Sequence, residues 1–117
     1  MAMRRAASYS ATITPPKAPT EYSAILVTMA QDQRIVLEKS LEDLTIDGGD
    51  VVVELTQEET LQFAPSVPSP MGTKTGGPAY LQIRCYAGEY DAPASAAWAI
   101  EVYDVLDPTI LPGEGAP

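Results

Sequence analysis

The chain contains no histidine and a single cysteine, Cys85, among its 117 residues. These absences exclude a disulfide framework, zinc sites built from histidine and cysteine, and nucleophiles activated by a histidine of the same chain. Basic residues are also scarce, with 7 Lys and Arg against 16 Asp and Glu and a net charge of −9. Because affinity for phosphates comes from clustered Lys and Arg, nucleic acid is not an expected partner. We therefore predict a binding or assembly protein that is not an enzyme and holds no cofactor or metal.

Long apolar segments are missing as well. The longest purely aliphatic run, Ala24 to Val27, is far shorter than the roughly 20 residues that a membrane-spanning helix needs. No apolar stretch follows Arg4 and Arg5, as a secretory signal peptide would require. The sequence therefore predicts no membrane partner and synthesis in the cytoplasm, and its length allows one domain.

Charge is distributed unevenly along the chain. Residues 1–20 carry three basic side chains, Arg4, Arg5 and Lys17, and no acidic one, whereas the remainder carries four basic and all 16 acidic side chains. Three prolines near the end of this segment disfavour a helix. We interpret residues 1–20 as an extended basic arm that is attracted to the acidic body of its own or a neighbouring copy. If each copy passed its arm to the next, a closed ring or trimer would follow.

The remainder of the chain, residues 21–107, has the pattern of a β-sandwich. Apolar residues alternate with polar ones in short runs, so that Ile25 and Val27 share one face of a strand, and Ile35 and Leu37 share one face of the next. Turn signals recur every 8 to 12 residues, which is typical of a sandwich or barrel. We predict an all-β, immunoglobulin-like β-sandwich of six or seven strands over residues 22–106.

The connections carry further signals. Thr56 and Glu59 form a capping box, which predicts one short helical turn between two strands. Asp47 and Asp50 flank two glycines, and because the spacing of a calcium loop is absent, we favour a hairpin turn. Residues 64–78 contain four prolines and three glycines and are predicted to be a long binding loop or a loop ordered by a partner. Residues 108–117 are predicted to form an extended tail.

Tyrosines supply the candidate contact surface. Tyr80 and Tyr86 alternate with inward residues, including Cys85, which we expect to be an inert buried thiol, and Tyr103 is also expected to face outward. Such tyrosines are favoured at protein interfaces and sugar platforms, but we favour the simpler interpretation that they are ordinary cross-strand aromatic pairs on a half-exposed sheet. The complete set of candidate interface residues is Arg4, Arg5, Tyr9, Lys17, Lys74, Tyr80, Tyr86 and Tyr103.

The order of several short motifs resembles a known group of proteins. These motifs are ITPPK at 13–17, AQDQRIVLEKSLEDLTIDGGDVVVELTQEETLQF at 30–63, LQIRCYAGEYDAPAS at 81–95 and EVYDVL at 101–106. In this order they are similar to a group of short proteins encoded by tailed phages and prophages of Gram-positive bacteria. The loop at 64–78 and the tail after Pro108 look like additions to that pattern.

The resemblance implies a small β-domain protein of the virion, in the tail, the baseplate or the head. On this hypothesis the partners are copies of itself and other virion proteins, the state is a homo-oligomer, and the final location is the virion. The alternative is an adhesion or carbohydrate-binding module, in which Tyr80, Tyr86, Tyr103 or the loop residue Tyr90 faces a glycan.

Overall fold

The computed structural model of this protein describes residues 1–70, 72, 74–87 and 97–112. Eight strands, one helix and two 3-10 turns lie in these ranges. The strands are β1 (Ala2–Arg4), β2 (Tyr9–Ile13), β3 (Ala24–Gln31), β4 (Arg34–Ser40), β5 (Thr45–Asp47), β6 (Asp50–Leu55), β7 (Ala79–Tyr86) and β8 (Trp98–Tyr103). The helix α1 spans Gln57–Thr60, and the 3-10 turns span Pro19–Glu21 and Leu41–Asp43.

The strands form two sheets packed face to face. One sheet has the order β1-β8-β7-β3-β4 and the other has the order β2-β6-β5. Pairing is antiparallel within both sheets except between β1 and β8, which run parallel. Sequential strands that alternate between two such sheets are the arrangement of an immunoglobulin-like β-sandwich, so the predicted fold class is confirmed. Six strands lie within residues 22–106, as expected.

The core lies between the two sheets and follows from period-2 alternation. Every second residue of β3, including Val27 and Met29, is fully buried, and Val51 and Val53 of β6 face it from the other sheet. Phe63, just after α1, is 1% exposed and is the largest fully buried side chain among the described residues. The capping box at the start of α1 forms as predicted, because the Glu59 amide donates to Thr56 Oγ1 at 3.2 Å.

The segment predicted to be an extended arm belongs to the sandwich. β1 pairs with β8 and β2 pairs with β6, and Met3, Ala11 and Ile13 are all buried in the core. The prediction of a separate arm over residues 1–20, with a domain boundary at residue 21, is therefore wrong. The physical reason is that burying Met3 on β1 and the alternating Ala11 and Ile13 on β2 outweighs the basic composition that surrounds them.

A β-bulge changes the outward face of β4. Met29 pairs with Leu37, but the next residue, Ala30, pairs with Ile35, so that Val36 is the extra residue of the bulge. A one-residue slip moves every following side chain to the opposite face of the sheet. Ile35 is consequently 60% exposed, whereas simple alternation predicted that it shares an inward face with Leu37.

The long loop at 64–78 is fixed at its base. Gln31 is 2% exposed, and its amide donates to the carbonyls of Ala64 and Gly77 at 2.8 and 2.9 Å and accepts from the Ala64 amide at 2.8 Å. Ser66 exchanges two hydrogen bonds with the backbone of Val102. Both ends of the loop are therefore held in place by contacts within the domain itself.

The first described residues of the predicted tail also return to the domain. The Leu111 amide donates to Gln57 Oε1 at 2.7 Å, and Gln57 Nε2 donates to the Leu111 carbonyl at 3.0 Å. This reciprocal pair attaches residues 108–112 to α1, so this part of the tail does not project away from the sandwich. Residues 113–117, Tyr90 and most of the connection between β7 and β8 lie outside the described residues.

Candidate interaction surface

The exposed side of the five-stranded sheet presents a row of apolar side chains. We call this side the outer sheet face. Register places Ile35 of β4 opposite Ala30 of β3, Ala30 opposite Tyr80 of β7, and Tyr80 opposite Ala99 of β8. Ile35 is 60% exposed and Tyr80 is 43% exposed. An apolar stripe therefore crosses four adjacent strands without interruption by a charged side chain.

Charges of both signs lie beside this stripe. Glu38 of β4 lies opposite Thr28, whose hydroxyl donates to Glu38 Oε2 at 3.1 Å. Arg84 of β7 lies opposite Leu26, one row further along the sheet. Adjacent strands are about 4.8 Å apart, so Glu38 and Arg84 are separated by roughly 10 Å across the strands. Beside the stripe, the Glu38 carboxylate and the Arg84 guanidinium therefore lie on opposite sides of β3.

A recess lies at the other end of the same face. It has a volume of about 240 Å³, and the outward residues that line it are Ala24, Leu26, Ser40, Arg84 and Tyr86. Tyr86 is 39% exposed, and Ser40 Oγ donates to Asp43 Oδ2 at 3.1 Å. An aromatic ring, a guanidinium and a hydroxyl thus surround a space large enough for one side chain or one sugar ring.

The two arginines near the N-terminus make their contacts within the domain. Arg5 forms an ion pair with Asp104 at 2.8 Å, and its Nε donates to the Phe63 carbonyl at 2.8 Å. Arg4 Nη1 donates to the Asp104 carbonyl at 2.7 Å, and its guanidinium lies 5.5 Å from the centre of the Tyr103 ring. Of the two predicted targets of these arginines, the body of their own copy and that of a neighbouring copy, the structure shows contacts with the first, where the arginines attach β1 to the end of β8.

Local hydrogen bonds also shift the pKa values of two ionisable groups beside these arginines. The Val105 amide and the Arg5 guanidinium hold the pKa of Asp104 below its usual value, although partial desolvation opposes them. The Tyr103 hydroxyl donates to Glu101 at 2.7 Å, and this bond to a carboxylate raises the pKa of Tyr103. Tyr103 is thus engaged by Glu101 and Arg4 at the margin of the outer sheet face.

The remaining sequence candidates are dispersed. Tyr9 of β2 lies in the three-stranded sheet, where it is half-buried opposite Leu55 of β6, and burial raises its pKa. Lys17 lies exposed between β2 and β3, and Lys74 lies exposed in the loop at 64–78. Of the eight residues proposed from sequence, only Tyr80 and Tyr86 lie among the exposed apolar residues of the outer sheet face, at opposite ends of β7.

Sequence reasoning missed one contact that joins the two halves of the sandwich. Lys39 Nζ of β4 lies 2.5 Å from Glu59 Oε2 of α1, and both side chains are largely shielded from solvent. Burial alone would raise the pKa of Glu59, but the hydrogen bonds from Lys39 and the Thr56 amide hold it below its usual value. No sequence motif indicates an ion pair between residues that are 20 positions apart, so only the fold shows this contact.

Some kinds of site find no counterpart in the part of the chain that the structure describes. Over residues 1–70, 72, 74–87 and 97–112, His, Cys, Asp and Glu side chains nowhere gather in threes as metal ligands. Within the same ranges, no helix has the length and hydropathy to cross a membrane.

The fold defines a small immunoglobulin-like domain, and its outer sheet face carries an exposed apolar stripe. No protein-family model matches the chain, and no curated protein matches it. Among solved structures, the chain is similar to the immunoglobulin-like domain of mouse leukocyte-associated immunoglobulin-like receptor 1, which was crystallised as a strand-swapped dimer. The two share 11% identity with a TM-score of 0.46, and the match covers 87% of this chain and 85% of the receptor domain. A likeness this distant carries no argument about partner or function.

Proposed function

We propose that this protein is a non-enzymatic structural component of a tailed bacteriophage particle that assembles through contacts between copies. The order of short motifs over residues 13–106 supports the phage setting. The observation that carries the assembly role is the apolar stripe formed by Ile35, Ala30 and Tyr80 on the outer sheet face. Large apolar side chains exposed on either side of Ala30 favour a protein partner, because covering them removes apolar surface from water.

The charges beside the stripe favour a second copy as the partner. Glu38 and Arg84 lie on opposite sides of β3. A twofold axis that lies in the plane of the outer sheet face, over β3 between Leu26 and Thr28, would place Arg84 of one copy against Glu38 of the other, and the reverse. Isologous contacts require such self-complementary surfaces. Attraction between these groups would set the orientation of two copies, while the apolar stripe would supply most of the affinity.

The test replaces the stripe and measures assembly. We expect Ile35→Ser combined with Tyr80→Ser to lower the oligomeric mass in light scattering and to reduce incorporation into particles. Ile46→Ser is the matched control, because Ile46 is 37% exposed on the other sheet. Unchanged mass and unchanged incorporation in the double variant would overturn the assembly role. Imaging a particle that contains the protein would decide between a head and a tail or baseplate position.

A carbohydrate-binding function is the second candidate, and the recess beside Tyr86 favours it. An aromatic ring next to a guanidinium and a hydroxyl can stack on a sugar and bond its hydroxyl groups. Calorimetric titration of the protein with host cell-wall polysaccharide tests this candidate. It requires a heat signal that Tyr86→Ala abolishes and Tyr9→Phe retains, and the absence of any signal from the unmodified protein would remove it.

A further inference from the structure

The contacts that hold β1 all go to other parts of the chain, far from it in sequence. The Glu101 amide donates to the Met1 carbonyl at 3.0 Å, and the Arg5 amide donates to the Tyr103 carbonyl at 2.9 Å. The Arg5 side chain adds bonds to Phe63 and Asp104. Met3, which is 2% exposed, fills the core above β8. A strand held by such contacts would dock equally well if an identical copy supplied it.

The connection from β1 to β2 is short and strained. It covers residues 5–8 and carries the chain from one sheet to the other. Ala6 has a φ of +60°, a left-handed conformation in which the Cβ of a residue other than glycine crowds the backbone. We attribute the strain to the crossing from one sheet to the other within four residues. An open connection that runs on to a neighbouring molecule would remove it.

We propose that β1 is exchanged reciprocally between two copies of this protein, with Ala6 to Ser8 as the hinge. In the exchanged dimer each β1 makes the same contacts with its partner's β8 that it makes in the closed monomer. Short hinge loops under strain favour this outcome, because exchange keeps the native contacts and relaxes the loop. The inference rests on the self-assembly part of the proposed function and on nothing that concerns the phage.

The two substitutions of Ala6 are expected to have opposite effects on the stability of the dimer. Ala6→Gly tolerates the closed connection and is expected to weaken the dimer at least about tenfold, because the left-handed residue loses its strain in each of the two closed monomers that form one dimer. Ala6→Pro fixes φ near −65° and forbids the closed connection, so it is expected to give dimer at every concentration after refolding from urea. Ala7→Gly is the matched control, because Ala7 does not have a positive φ. A monomeric Ala6→Pro with β1 undocked would overturn the proposal.

Charge reversal distinguishes exchange from contact between faces. Arg5→Asp alone and Asp104→Arg alone each place like charges together, both within a monomer and within a homodimer. When the two variants are mixed, an exchanged heterodimer contains one native pair and one reversed pair. Native mass spectrometry of the refolded mixture is expected to show mainly heterodimer. Homodimers and heterodimers in statistical proportion, or monomers only, would contradict exchange.

A cysteine pair covers the case in which the charge variants do not fold. Ala2 and Glu101 are direct partners in the β1–β8 register and both are exposed. With Cys85→Ala as background, Ala2→Cys with Glu101→Cys is expected to give a covalent dimer on oxidation. A covalent monomer would refute exchange of β1. The outer sheet face could still assemble copies in that event, because the Ile35 and Tyr80 variants test that face separately.

Discussion

Gln31 offers the sharpest test of how the domain organises its long loop. It is 2% exposed at the end of β3, and its amide group makes three hydrogen bonds of 2.8 to 2.9 Å with Ala64 and Gly77. Gln31→Ala removes all three bonds and leaves two carbonyls and one amide without that partner. At about 1 kcal/mol net for each bond, the free energy of unfolding is expected to fall by about 3 kcal/mol. That is a large share of the roughly 5–15 kcal/mol that stabilises a typical domain.

Urea unfolding followed by fluorescence of the single tryptophan, Trp98, provides the measurement. We expect a lower midpoint with an unchanged slope, because the exposed surface of the unfolded chain does not change. Gln62→Ala is the matched control, since Gln62 is exposed, and should change stability by no more than about 0.5 kcal/mol. A loss below about 1 kcal/mol for Gln31→Ala would refute the reasoning, because solvent would then replace the amide without cost.

Gln31→Glu refines the same argument. The isosteric carboxylate still accepts from the Ala64 amide, but at neutral pH it directs a second oxygen at carbonyls that previously accepted from Gln31. We expect the loss of stability at pH 7 to be at least as large as that of Gln31→Ala. Protonation at low pH restores one donor, so the difference between Glu and Gln should narrow as the pH falls. If the free energies of unfolding of Gln31→Glu and of the unmodified protein changed in parallel with pH, this interpretation of the contacts would be contradicted.

Three further predictions concern the turn, the ion pair and the loop. Gln33 has a φ of +63°, so Gln33→Gly should raise the free energy of unfolding by about 0.5–1 kcal/mol in urea titrations, and a loss of stability would contradict the strain argument. The pKa of Glu59 is lowered in the folded state, so the stabilisation that Glu59 contributes is fully present above its unfolded pKa of ~4.3. This stabilisation is lost as the pH falls through the lowered folded-state pKa. Lys39→Met should therefore raise the pKa of Glu59, measured by NMR titration, and flatten the loss of stability between about pH 5 and 3; an unchanged titration would disprove the coupling. A Cβ at Gly76 would lie 2.9 Å from Ala64 Cβ, so Gly76→Ala should lower stability by about 1–3 kcal/mol, whereas Gly49→Ala, which meets open space, is the control.

Local pattern predicts the middle of this fold well. Alternation at Ile25 and Val27 gives their burial, and the same rule gives the outward placement of Tyr80 and Tyr86. The turn at Asp47–Asp50 forms as a two-residue connection in which Gly48 adopts a φ of +60°. These features depend on neighbours in sequence, and a single sequence contains that information.

The features that local pattern misses depend on contacts between distant segments. Met3 is buried only because β8, about 100 residues away, accepts β1 as a parallel neighbour. Ile35 faces outward only because the partner strand imposes a bulge at Met29 and Ala30. The position of Gln31 beneath the loop requires the fold of both segments. For the same reason the apolar stripe, which crosses four strands, could not be assembled from the sequence.

The parallel pairing of β1 with β8 also determines how the domain would resist force. Met1 lies beside the middle of β8, where its carbonyl accepts from the Glu101 amide, whereas the chain leaves β8 after Tyr103. Tension applied between these two points pulls β1 and β8 in opposite directions along their common axis. Their hydrogen bonds and the Arg5–Asp104 ion pair are then loaded in shear and must break together rather than one after another. The edge strand β1, which contributes Met3 to the core, is therefore also the element that resists mechanical unfolding of the domain.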